Sequence, residues 1–149
     1  MTSQTHFSSL ENMYQSAPTN DYYAPRIHIN EHECVIEIDV QEKFFHAAGA
    51  THGSVYFKLL DDAAFFAANA LETEYFVLTT SFTTYITRPV SSGIMRAVGK
   101  VVNKNKSQFI AEAVVYDSEN REIARGNGIF VRSKMALNEV PGYGESTPK

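Results

Sequence analysis

Residues 50–70 read ATHGSVYFKLLDDAAFFAANA. The run is long, apolar and free of proline, so it predicts one helix that buries most of its circumference. Two adjacent aspartates interrupt it. With Val55 set at zero and about 100° per residue, Lys58 falls at about 300°, Asn69 at about 320° and Asp62 at about 340°. These three form a narrow polar stripe, the expected wet edge of the helix, where Lys58 and Asp62 pair at i and i+4. Asp61 falls at about 240° on the same wheel, between Phe57 and Phe65 one turn away on either side. A carboxylate among phenylalanines needs a charged or hydrogen-bonding partner. The wheel leaves two readings of Asp61 open, a structurally satisfied residue at the stripe's margin and a functional one.

The start of the helix adds a second feature. Gly49 and Gly53 flank it, and glycine lets a ligand approach the backbone closely. The first helical N–H groups lack intrahelical partners and carry partial positive charge, so they suit an anion or a polarised carbonyl. Gly53 and Asp61 are about 12 Å apart along a helix. A reacting carbonyl must lie about 3 Å from both its oxyanion donor and its attacker. One subunit cannot meet that condition with these two residues. Two antiparallel copies of the helix can, which predicts a symmetric dimer with two shared sites.

Around the helix the period of the sequence changes. Ser8 and Glu11 have capping-box spacing and predict a short helix through Leu10, Met13 and Tyr14, with residues 1 to 6 frayed. Ile27 and Ile29, then Cys34, Ile36, Ile38 and Val40, alternate as strands. After the helix come VLTTSFTTYITR, GIMRAVGKVV, QFIAEAVVYD and EIARGNGIFV, four further strand patterns joined by turn-forming residues. The order is short helix, two strands, long helix, four strands. It predicts an α+β fold whose antiparallel sheet wraps the one buried helix. The chain divides into an N-terminal tail and short helix at 1–25, one domain at 26–134 and a flexible tail at 135–149.

The 149-residue chain has a net charge of −4, which gives no reason to expect nucleic acid or an acidic membrane as partner. The most apolar window, Val55 to Leu71, is broken by Lys58, Asp61, Asp62 and Asn69, so no membrane span is expected. A single cysteine, Cys34, excludes an internal disulfide and fits a reducing compartment. The first residues lack the basic and apolar regions of a secretory signal, so a cytoplasmic location is expected. The histidines and the cysteine lack ligand spacing, and no metal or cofactor is expected. His28 and His32 are expected on a solvated edge and turn. The aromatic run Tyr56, Phe57, Phe65 and Phe66 is expected in the core, with some members lining a pocket as the other reading.

The stretch GATHGSVYFKLLDDAAFFAA resembles the HGG-x(6)-D signature of the hotdog-fold acyl-CoA thioesterases of the phenylacetate-degradation type. The resemblance runs from about Ile27 to Val131 and includes the TRPV exit and the VVYDSENREIARG hairpin. It implies a hotdog fold and hydrolysis of an acyl-CoA thioester. It also implies that the Gly53 N–H binds the thioester carbonyl and that Asp61, from the opposite subunit, acts as nucleophile or as base for water. The motif histidine is His52. An assisting hydroxyl falls on Thr79, or on Thr80 or Ser81 if the register slips. Ser54 replaces the second glycine of the motif, and His46 stands where many members carry a carbonyl-binding asparagine. An imidazole can donate the same kind of hydrogen bond. Arg88, Lys104, Lys106 and Ser107 are the resemblance's candidates for coenzyme A, with Arg132 and Lys134 as second choices. The implied partners are the acyl-CoA and a second copy of the chain, with a dimer of dimers as an extension. Two other readings stay open: a non-catalytic acyl-CoA-binding or regulatory module, and a hotdog dehydratase or hydratase built on His46 and His52.

Overall fold

The computed structural model describes residues 2–144. Helix α1 (Ser3–Ser16) and a one-turn helix α2 (Asn20–Tyr23) precede strands β1 (Arg26–Ile29) and β2 (Cys34–Asp39). The long helix α3 (Gly53–Ala70) follows, then β3 (Tyr75–Ile86), β4 (Ile94–Lys104), β5 (Gln108–Tyr116) and β6 (Glu122–Ala136). The six strands form one antiparallel sheet in the order β1-β2-β4-β5-β6-β3. The sheet packs around α3, as the alternation of its strands predicts.

Small residues set the depth of that packing. Ala63 and Ala64 of α3 meet β4 at Gly99, where an added Cβ would collide with the Ala63 carbonyl. The helix backbone therefore rests directly on the strand. Larger side chains fill the two ends of the interface, with Val55, Tyr56, Leu59 and Leu60 toward one and Phe66 toward the other.

The two ends of the chain depart from expectation. Helix α1 starts at Ser3, not Ser8, and Thr2 caps it by accepting the Thr5 N–H at 3.1 Å. Residues 3–6 are thus helical rather than frayed. The Ser8/Glu11 pair caps nothing, because Glu11 accepts the Ile29 N–H at 2.7 Å and ties α1 to β1. His6 extends the buried face one turn back. Its Nε2 lies 2.8 Å from the Asn69 carbonyl and its Nδ1 2.7 Å from the Tyr143 hydroxyl. At the other end β6 continues to Ala136, and residues up to 144 pack back on α1 through Tyr143 and through Asn12, which donates to the Gly142 carbonyl at 2.7 Å. The described part of the expected C-terminal tail is therefore seated, and residues 145–149 lie outside the described residues.

The polar stripe of α3 forms as a pair but not as a wet edge. Lys58 Nζ reaches Asp62 Oδ2 at 2.6 Å, yet their side chains are only 12% and 18% exposed. Helices α1 and α2 cover them with Tyr14 and Tyr23. Asn69 is 0% exposed and accepts the Val77 N–H, while donating to the Glu72 and Tyr75 carbonyls. Phe57, counted among the apolar core positions, is 43% exposed. A helical wheel knows only the helix's own phase, and here the cover is supplied by segments distant in sequence. Strand β3 forms one margin of the sheet and leaves Leu78, Tyr85 and Ile86 exposed along it. No helix among the described residues is long and apolar enough to cross a membrane.

Candidate active site

Asp61 and Thr79 meet at the wall of an apolar cavity. The two lie on α3 and β3, and Thr79 Oγ1 donates to Asp61 Oδ1 at 2.9 Å. The register of β3 makes this selection. Thr80, on the opposite face, donates to the Ile129 carbonyl, and Ser81 follows an irregularity in the pairing and is exposed. The cavity has a volume of about 510 Å³ and is walled by Met13, Phe65, Phe66, Phe76, Leu78 and Val140. Its polar groups include Tyr14, Lys58, Asp61, Asp62 and Thr79. Burial pushes the Asp61 carboxyl up to about 6 from its ordinary 3.8. The Thr79 hydrogen bond opposes that rise, Asp62 adds to it and Lys58 reduces it.

The other end of α3 opens on a different groove. His52 is the N-cap, with its Nδ1 accepting the Ser54 N–H at 3.0 Å and its carbonyl accepting the Val55 N–H. Among the described residues these contacts leave the Gly53 N–H unpartnered within the first turn. The groove beside it, of about 340 Å³, is lined by His46, Thr51, Gly53, Tyr56, Ile86 and Arg88, among others. The Tyr56 hydroxyl donates to the Arg88 carbonyl at 2.9 Å and fixes the strand exit against the helix start. His46 Nδ1 accepts the Ala48 N–H at 3.1 Å, so a neutral ring carries its proton on Nε2 and keeps one donor to offer.

The remaining expected binding residues lie elsewhere. Lys104, Lys106 and Ser107 sit on the β4–β5 turn, near the C-terminal end of α3, whereas Arg88 and His46 lie at its N-terminal end. Ser107 Oγ donates to Asn105 Oδ1 within the turn. Lys104 lies over the Phe109 ring. Arg132 is occupied. It bonds Glu72 at 2.5 Å and the Lys106 carbonyl at 2.9 Å, and stacks on Phe109, which makes it a brace for the turn. Lys134 is exposed on β6. Sequence reasoning misses Tyr14 and Lys58 as cavity residues, because their common cavity exists only once α1 folds over α3.

A family model described as the thioesterase superfamily matches residues 48–124. The chain belongs to the thioesterase superfamily and has its hotdog fold. It is similar in fold to the Escherichia coli PaaI protein of the phenylacetic acid degradation operon, at 18% identity and a TM-score of 0.78 over 89% of this chain and 98% of that one. A Shewanella oneidensis protein related to the thioesterase superfamily gives a TM-score of 0.80 at 15% identity, over 88% and 97%. A Haemophilus influenzae thioesterase gives 0.73 at 18% identity, over 80% and 85%. No curated protein matches the chain.

Proposed function

We propose that the protein hydrolyses an acyl-CoA thioester at sites shared between two subunits, with Asp61 from one and the Gly53 N–H from the other. The observation that carries this reading is the Asp61–Thr79 pair at an apolar cavity, in a chain whose Gly53 opens on a separate groove. Family membership supports thioester chemistry. The open margin at β3 supports a second copy lying alongside, since a long exposed strand edge invites pairing. A dimer of dimers is compatible with the same reading.

The chemistry needs a polarised carbonyl, an attacker and a leaving thiolate. The Gly53 N–H accepts the growing negative charge on the thioester oxygen. His52 holds that N–H in place through its cap, and His46 Nε2–H supplies a second donor at the same groove. Asp61 either removes a proton from water as the water oxygen attacks, or attacks the carbonyl carbon itself and is released by water afterwards. In both routes the C–S bond breaks with its electron pair on sulfur. A thiol of ordinary pKa near about 8.5 leaves as thiolate without an obligatory acid. Arg88 beside the Gly53 groove is the first candidate for a coenzyme A phosphate, and Lys104, Lys106 and Ser107 form a second candidate set. The reaction draws on no metal or cofactor, and the proposed setting is the cytoplasm.

The test is thiol release from a panel of acyl-CoAs by wild type and Asp61→Ala. Wild-type turnover of at least one thioester and its loss in the variant support the reading. Equal rates in both, with the dimer intact, overturn it. Single turnovers in ¹⁸O-water separate the two routes, because only the nucleophilic route places label in the Asp61 carboxylate.

A further inference from the structure

Asp62 is the neighbour of the proposed catalytic carboxylate, and it lines the same cavity. Its Oδ2 receives the Lys58 ammonium at 2.6 Å and the Tyr14 hydroxyl at 2.7 Å. Lys58 in turn lies 5.3 Å from the centre of the Tyr14 ring and 4.8 Å from that of Tyr23. Those faces hold the ammonium by cation–π attraction. Two aromatic residues from α1 and α2 thus fix one cation against one carboxylate, one residue away from Asp61.

Consecutive carboxylates in an apolar wall cannot both stay ionised without compensation, since each charge disfavours the other. Among the described residues, Lys58 is the one cationic side chain lining this cavity. Tyr14 comes from α1 and Thr79 from β3, and neither is charged at neutral pH. The linings from α2 and from the segment after Leu137 contribute no charged side chain, and Cys34 of β2, which lies within electrostatic reach of Asp62, is kept a neutral thiol by its burial.

Building on the hydrolase reading above, we propose that Lys58 is a positioning residue: locked by Tyr14 and Tyr23, it pairs off the charge of Asp62 so that Asp61 can ionise at neutral pH. The opposed effects of Asp62 and Lys58 on the Asp61 carboxyl agree with that geometry. Tyr14 helps hold the Asp62 Oδ2 at the lysine.

The test compares wild type with Lys58→Met, Asp62→Asn and the double variant. Two readouts are used: the acid limb of kcat/KM, and the Asp61 midpoint from carboxyl-carbon NMR of aspartate-labelled protein, assigned with Asp61→Asn. Lys58→Met raises the Asp61 midpoint by about 1 pH unit. Asp62→Asn lowers it, and the double variant returns it close to the wild-type value. A Lys58→Met protein that is slower at every pH with an unmoved midpoint overturns the proposal, because a purely structural lysine would behave that way. If wild type cleaves no thioester, the hydrolase reading fails, while the NMR midpoints still decide whether Lys58 controls Asp61.

Discussion

Thr79 Oγ1 stands 2.9 Å from Asp61 Oδ1 and donates to it, joining the central helix to the marginal strand of the sheet at the cavity wall. That bond stabilises the ionised carboxylate against the cost of its burial. Removing the hydroxyl with Thr79→Val therefore shifts the acid limb of kcat/KM upward, and Thr79→Ser restores it. Rates measured from about pH 5 to 8 decide the matter.

In wild type the same limb is expected near pH 6, with the carboxylate form gained as pH rises through that value. The positive end of a facing helix from a second subunit would lower it, and the burial added by the same subunit would raise it. Asp61→Asn abolishes the limb along with a rate loss of about 10²–10⁴.

The raised carboxyl also has a stability consequence. Folding binds the Asp61 proton more tightly than the unfolded chain does, with about 6 against the ordinary 3.8. A group raised in this way favours the fold below its unfolded value, and that contribution is lost as pH rises through its folded value. Asp61→Asn is therefore more stable than wild type at pH 7.5, by about 1–2 kcal/mol after allowance for partial solvent screening. The gain disappears toward pH 4. Denaturant melts at the two pH values give the comparison.

Gly53→Pro deletes the proposed oxyanion donor while sparing the helix. Proline suits the first helical position, and His52 already has the extended backbone, φ −63 and ψ 144, that a following proline requires. The near contact is the flexible end of Ile86, whose Cδ1 lies 3.1 Å from the place a Cβ on residue 53 would take. Activity drops by about 10²–10³. Co-refolding equal amounts of Gly53→Pro and Asp61→Ala chains then restores about a quarter of wild-type activity, since half the dimers are mixed and each mixed dimer has one intact site. No recovery in verified mixed dimers would show that the two groups act within one subunit.

Gly99→Ala tests the seat of the helix. The new methyl meets the Ala63 backbone, which cannot rotate away. A loss of about 2–3 kcal/mol is expected, seen as a fall in Tm of roughly 5–10 °C.

Much of this molecule is legible in its sequence because the signals are local. The α3 stretch, the alternation in Ile36, Ile38 and Val40, and the turn residues between strands each report on their own segment. The motif around His52 and Asp61 likewise points to the family to which the chain belongs. What failed was the cover. Asn69 reads as wet on a wheel and is buried because the chain turns back across it to β3. Lys58 and Asp62 read as solvated and are roofed by α1. His6 reads as a frayed polar residue and is buried because its two ring nitrogens meet the Asn69 carbonyl and Tyr143. The coenzyme A candidates scattered for the same reason. Arg132 looked available, but Glu72, sixty positions earlier in the chain, holds it.

The contact between Gly99 and Ala63 makes the cavity behave like a vice with one fixed jaw. The acid-bearing jaw has no travel, because the helix is already flush with the sheet. The opposite jaw is made from α1 and the segment after β6, which meet through His6 with Tyr143 and Asn12 with Gly142. Under the proposed hydrolase reading, with the acyl group in this cavity, admitting a bulkier one is therefore a task for Met13 and Val140 on that side. Trimming them enlarges the opening without disturbing the distance between Asp61 and Thr79.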